Sequence, residues 1–147
     1  MAAMSDYLEN KLIDYMFRGQ AYTAPTTIYV GLLTTGTNDA NTGQVEVSGG
    51  SYARVAVSSS LANWAGTQSA GSTTASSGTS GTTSNNNAIA FPAPTANWGV
   101  ITSFGMYDAA TGGNLLFYGN LSISKTVNNG DAAPTFAAAA LSIQLDN

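Results

Sequence analysis

Enzymatic acid–base or covalent chemistry needs titratable groups that a fold can bring together, and this chain has few. It contains no histidine and no cysteine. The usual general base, the usual metal ligand and the thiolate nucleophile are all missing. The acids are Asp6, Glu9, Asp14, Asp39, Glu46, Asp108, Asp131 and Asp146. Asp6, Glu9 and Asp14 fall in a predicted helix. Most of the others sit at predicted turns, where aspartate shapes the backbone through its own hydrogen bonds. Paired carboxylates of the glycosidase kind are therefore not expected. Ser124 precedes Lys125, but neighbours on a strand point to opposite faces, so they cannot work as a nucleophile and its base. Gly49-Gly50 and Gly112-Gly113 open no helix and precede no Lys-Ser or Lys-Thr, so they read as turn glycines rather than a phosphate cradle. Asn128 to Asp131 lacks the acidic spacing and distal glutamate of a calcium loop. No catalytic, cofactor-binding or metal-ligating residue is expected, and the chain reads as a non-enzyme.

Two aromatic pairs, Asn63-Trp64 and Asn97-Trp98, are the remaining candidates for recognition. Trp98 alternates with Val100 and Phe104 and reads as a core anchor. Trp64 has less apolar company and is the candidate for contact with a partner or glycan.

Composition narrows the partners. Charged residues make up 8% of the chain, and the net charge is −4. An ordinary globular domain carries roughly 25%. The cations Lys11, Arg18, Arg54 and Lys125 are scattered, so no local basic patch exists to track phosphates, and a negative chain is not drawn to an anionic membrane. Neither nucleic acid nor membrane is an expected partner. No apolar run approaches the roughly 20 residues of a membrane span. Met1-Ala2-Ala3-Met4 lacks a basic stretch and an apolar core, so no secretory signal is expected. Hydrophobic residues still reach 44%, enough for a core. A surface of Ser, Thr, Asn, Gln and Gly is weakly protected from self-association by charge repulsion.

These residues need elements to hold them. The 147-residue length suits one domain, 1–147. Residues 5–18 read as a helix: Ser5 or Asp6 as N-cap, Asp6 and Glu9 at capping-box spacing, Gly19 as the stop. Leu8, Leu12, Tyr15 and Met16 recur on one face, widened by Ile13 and Phe17. That face either packs on the chain's own sheet or docks a neighbouring subunit. Residues 27–145 read as a β domain. Strands are expected at 27–34, 45–47, 52–57, 88–91, 98–107, 115–123 and 137–145, joined by Gly-, Asn- and Asp-rich turns. Trp98, Val100, Thr102, Phe104 and Met106 should share a face, as should Leu141, Ile143 and Leu145, with Trp98, Phe104, Leu116 and Ile143 buried. The fold class is mostly β, an antiparallel β-sandwich or jelly-roll-like domain with one N-terminal α-helix. Gly66 to Asn87 contains only Gly, Ala, Ser, Thr, Gln and Asn. It offers backbone hydrogen bonds but little to bury, which favours an assembly arm ordered by a neighbour over a free linker.

Several stretches resemble a family of small tailed-bacteriophage virion proteins labelled phage tail fibre proteins. The resemblance runs from about Ser5 to Leu145. It is carried by Ser5-Asp6-Tyr7-Leu8-Glu9-Asn10-Lys11-Leu12-Ile13-Asp14, by Tyr29-Val30-Gly31-Leu32-Leu33-Thr34-Thr35 and by Val47-Ser48-Gly49-Gly50-Ser51-Tyr52-Ala53-Arg54-Val55. Its most distinctive part is Phe91-Pro92-Ala93-Pro94-Thr95-Ala96-Asn97-Trp98-Gly99-Val100, followed by Tyr107 to Phe117 and Lys125 to Pro134. The resemblance implies a virion protein assembled in the bacterial host cytoplasm. Its implied partners are copies of itself, with a trimer as the guide, and other virion proteins such as major capsid or tail proteins. A fibre shaft is usually repetitive or coiled-coil, and this chain is neither. A capsid decoration or cement protein, or a tail-associated accessory protein, is therefore expected; a receptor- or glycan-binding fibre tip is the alternative.

Overall fold

The computed structural model describes residues 2–145. Asp146, one of the acids considered above, lies outside them. The protein is mostly β, with antiparallel strands and a single N-terminal helix among the described residues.

The elements are β1 (Ala3–Met4), α1 (Asp6–Phe17), β2 (Thr27–Thr35), β3 (Val45–Glu46), β4 (Val55–Ser58), β5 (Thr82–Ser84), β6 (Ile89–Ala90), β7 (Gly99–Tyr107), β8 (Leu115–Val127), β9 (Thr135–Phe136) and β10 (Ser142–Gln144). The main sheet has the order β1-β8-β7-β2-β3. β2 is its centre. One edge pairs with β7 through Tyr29 to Leu33, and the other is shared between β4, along Thr27 to Val30, and β3, at Leu33 and Thr35. Its apolar residues are Ile28, Val30, Leu32 and Leu33, and Val30 and Leu33 are wholly buried. Such a run suits a strand covered on both faces.

The second layer is two short ribbons, β5 with β10 and β6 with β9. Their side chains Ile89, Phe91, Leu141 and Ile143 meet Val30, Leu32, Ile101, Phe104 and Met106 of the sheet in one core. Aromatic rings join the layers: Phe136 lies edge-on to both Phe91 and Phe104, at 6.2 and 6.0 Å between centroids. Trp98 stands edge-on to Tyr52 at 5.4 Å, and its indole N–H donates to the Gly50 carbonyl at 2.9 Å. A Cβ at Gly50 would lie 2.9 Å from that indole nitrogen. Gly50 also has φ +55°, so the turn needs glycine twice over. Trp98, Phe104, Leu116 and Ile143 are all buried, as the alternation predicts.

The alternation fails in two places. Val100 is 48% exposed while Ile101 is buried. On β8, Leu121, Ser122, Ile123 and Ser124 stand against Thr102 alone, between the pairs Ile101 with Lys125 and Ser103 with Asn120. A bulge shifts the phase of side chains along a strand, which explains why Ile101 and Phe104, three apart, both reach the core. Near the C-terminus, Leu145 is exposed, although Leu141 and Ile143 are buried. The predicted strand over 137–145 is divided by a turn in which Ala139 takes φ +63°.

The helix forms where expected. Ser5 is its N-cap, accepting from the Leu8 N–H at 3.3 Å. The Ser5 hydroxyl also donates to the Leu115 carbonyl, and the Ser5 N–H donates to the Leu116 carbonyl at 3.0 Å. The start of α1 is thereby fastened to β8. Beyond Leu8, the helix leaves its apolar stripe largely outside.

The polar segment 66–87, which its composition suggests is an assembly arm, makes contacts with its own chain. Its end is β5, paired with β10 of the same chain. Asn85 is 1% exposed. Its side-chain N–H groups donate to the carbonyls of Asn87 and Ala137, and its oxygen accepts from the Leu141 N–H, each at 2.8 Å. Upstream, Gln68 donates to Thr74 and the Ala75 carbonyl and accepts from the Ser77 N–H. Side-chain amides supply the order that apolar burial could not.

Candidate functional site

The densest chemistry lies where β2, β3 and β7 meet. Gly31 and Gly105 face each other across β2 and β7. Without side chains they leave a floor, and Tyr107 lies on it: a Cβ at Gly105 would come within 2.7 Å of the Tyr107 ring. The Arg54 guanidinium sits 3.5 Å from the centroid of that ring, a cation–π contact. Arg54 then grips Glu46 with two parallel bonds, Nε to Oε1 at 2.8 Å and Nη2 to Oε2 at 2.7 Å. Its Nη1 donates to the carbonyls of Ala109 and Gly112, at 2.9 and 2.8 Å. The Tyr52 hydroxyl donates to Glu46 Oε1 at 2.8 Å and accepts from the Leu32 N–H at 2.9 Å. A Cβ at Gly31 would be 2.9 Å from Glu46 Oε1.

Burial pushes the Tyr52 phenol far above its ordinary value; the Glu46 carboxylate adds to the rise, and the Leu32 N–H and Arg54 oppose it. Tyr107 is raised in the same way, by burial first and by Glu46 second. For Arg54 burial works against the charge, but the bonds to Glu46 prevail and the guanidinium is held more firmly protonated than usual. A perturbed cluster of this kind is a catalytic candidate only if a group is free to receive substrate. Here the charged groups are directed at one another and at the carbonyls of the β7–β8 loop. The cluster can clamp that loop to the sheet, and nothing in the residue pattern pointed to it beyond two glycines inside strands.

The turn acids behave as their positions suggest. Asp108 accepts from both the N–H and the side-chain amide of Asn114, each at 2.7 Å. Asp131 accepts from the Asn128 N–H at 2.8 Å. Among the described residues, no three acids gather where a metal could bind, and no helix is long and apolar enough to cross a membrane.

Trp64 is half-buried against the core and bridged to Asn85. Its indole N–H is enclosed and meets no acceptor. The ring is thus mainly a packing group, partly exposed.

Two surface features lie away from the clamp. The first is α1, whose Ile13, Met16 and Phe17 are 50%, 69% and 79% exposed. The second is a cleft of about 590 Å³ beside the β8 bulge. Ile101 and Phe104 are at its floor; Leu121, Ile123 and Phe136 line it, and Lys125 is its one charged lining residue. The helix face was one of the two readings the sequence offered, as a docking surface for a neighbouring subunit; the cleft was not foreseen.

The chain is thus an antiparallel β domain whose polar cluster is turned inward and whose helix exposes apolar side chains. Comparison with protein families places it more closely. The model of the family described as Podophage GP4 fiber I protein gp80 matches residues 3–144, and the chain belongs to that family. It is thus a member of a phage fibre family, which supports a structural role in the virion. Comparison with curated proteins returns no match.

Proposed function

We propose that this protein is a tail-associated structural subunit of a phage virion, acting through contacts between subunits rather than through catalysis. The observation that carries this reading is the division of its surface. The groups capable of strong chemistry, Glu46, Tyr52, Arg54 and Tyr107, are engaged with their own chain. Ile13, Tyr15, Met16 and Phe17 of α1 lie outside. Exposed apolar patches on soluble proteins mark contact surfaces. Many modest contacts repeated around a symmetric particle add up to firm attachment.

Capsid decoration is the competing location, and a receptor- or glycan-binding tip the competing role. Family membership favours the tail over the capsid shell. The half-buried setting of Trp64 leaves little ring face for stacking on a sugar, which favours structure over glycan recognition. Immunogold labelling of virions tests the location, with copy number per particle measured by quantitative mass spectrometry. Label confined to the tail supports the proposal. Label over the capsid at shell-like copy number refutes it in favour of decoration, and absence from purified virions refutes both.

A further inference from the structure

The helix and the cleft fit each other as two halves of one contact. Ile13, Met16 and Phe17 stand at i, i+3 and i+4 and so share one helical face. An amphipathic helix with anchors at this spacing is the ligand side of helix-in-groove recognition. The cleft supplies the other side, with an apolar floor of Ile101 and Phe104 under the rim residues Leu121, Ile123 and Phe136. It exists because Leu121 to Ser124 have no ladder partner on β7, which stands this part of β8 away from the sheet. Ile123, at the crest of the bulge, is 82% exposed.

One copy does not bring the halves together. α1 is fastened at its start to β8 through Ser5, and no residue of α1 lines the cleft. Charge is complementary in sign. Within its bounds α1 carries Asp6, Glu9 and Asp14 against Lys11. Asp14 is paired with the C-cap Arg18 at 2.9 Å, which leaves Asp6 and Glu9 as the acids outside that ion pair, and Lys125 is the charged residue of the cleft lining. Opposed charges at a rim steer encounter and fix register.

We propose that Ile13, Met16 and Phe17 of one copy seat in the cleft beneath the β8 bulge of a second copy. This deepens the subunit-contact reading above and rests on it. The contact is head-to-tail, because the two surfaces differ. Repeated, it closes into a small ring if the rotation allows, or otherwise extends as a filament.

The test uses the full chain and two substitutions at exposed positions, Phe17→Asp on the helix and Ile123→Asp on the cleft. Wild-type protein should associate with increasing concentration in sedimentation. Each variant should keep its thermal unfolding transition and lose affinity for itself by roughly thirtyfold or more, as when a hot-spot anchor is removed. Mixed together, the variants should form a dimer that grows no further: the intact helix of Ile123→Asp enters the intact cleft of Phe17→Asp, and the remaining surfaces are both spoiled. Because the chain has no cysteine, Phe17→Cys and Ile123→Cys give a second readout, a disulfide that forms between the two variants and not within either alone.

A monomeric wild type overturns the proposal, as do Asp variants that associate like wild type. Phe17→Cys pairing chiefly with itself overturns it in favour of a helix–helix contact. A cleft that binds a glycan or another virion protein while the wild type stays monomeric also overturns it. Virion incorporation is scored in parallel. A chain absent from virions refutes the structural reading itself, whereas a virion-bound chain with unaffected variants refutes only this contact.

Discussion

Arg54 concentrates more interactions than any other charged residue among those the structure describes. Its side chain is 7% exposed and that of Glu46 26%, so removing the arginine strands a partly buried carboxylate and two loop carbonyls. Arg54→Ala should lower the unfolding free energy by about 3 kcal/mol, near the lower end for a broken buried pair because Glu46 retains some water. Urea unfolding measures this; a loss under about 1 kcal/mol would show that the clamp is a surface pair in energetic terms. Arg54→Lys should recover little, since lysine cannot make the parallel bonds. The same cluster predicts a pH dependence. An unfolded tyrosine ionises near pH 10, whereas burial holds the Tyr52 phenol neutral well beyond that. Above about pH 10 the unfolded chain therefore releases protons that the native chain keeps, so this stabilisation is complete below that pH and is lost as pH rises. Tm should fall through the alkaline range, and Tyr52→Phe should flatten the fall while lowering Tm at pH 7, because the Leu32 N–H loses its acceptor. Equal alkaline slopes in the two proteins would assign the loss to other groups. None of this was legible in the sequence. Glu46, Tyr52 and Arg54 lie near one another along the chain, but only the close approach of Gly31 and Gly105 brings Tyr107 under the arginine.

Elements were legible where side chains repeat with a steady period and illegible where hydrogen bonds replace apolar burial. α1, β2 and the start of β8 follow their hydrophobic patterns, and β7 does so from Phe104 onward. β5 does not, because Thr82-Thr83-Ser84 has no apolar member, and its place is fixed by pairing with β10. The helix stripe was read correctly as a pattern, but which surface it meets depends on what covers it, and the choice between own sheet and neighbour is a tertiary one. The β8 bulge was illegible because Leu121, Ser122 and Ile123 alternate as an ordinary strand would. Segment 66–87 divides into parts with different expected tolerance. Residues 68–79 are mostly exposed, and the Ser80 hydroxyl reaches the Thr67 carbonyl at 3.3 Å, so the chain can be rejoined there. Deleting 68–79 should leave a cooperative β domain with Tm nearly unchanged. Asn85→Ala should instead cost about 3 kcal/mol, since buried donors and acceptors lose their partners. Hydrogen exchange should then show β10 opening first. If the shorter deletion unfolds the domain, the loop contributes to folding beyond its own internal bonds.

At the scale of the whole molecule, two weakly charged layers enclose one core, and the surface is left with little electrostatic repulsion to keep copies apart. A net charge of −4 spread over 147 residues gives long-range forces that physiological salt largely screens. Association through Ile13, Met16, Phe17 and the β8 cleft would instead draw on apolar burial, with the acids of α1 and Lys125 contributing orientation. The two sources of affinity respond differently to conditions. Screening weakens charge-driven contacts as salt rises, whereas apolar contacts are little affected by sodium chloride and weaken on cooling. The dissociation constant for self-association should therefore change less than about threefold between about 0.05 and 0.5 M sodium chloride, beyond which exposed pairs are almost fully screened. It should rise on cooling from 25 to 5 °C, and sulfate should tighten the assembly because it is excluded from protein surface. Sedimentation across these conditions checks all three. A tenfold weakening with salt, with no response to temperature, would place the driving force in charge pairs and move the search for the interface from the helix anchors to Lys125 and the acids of α1.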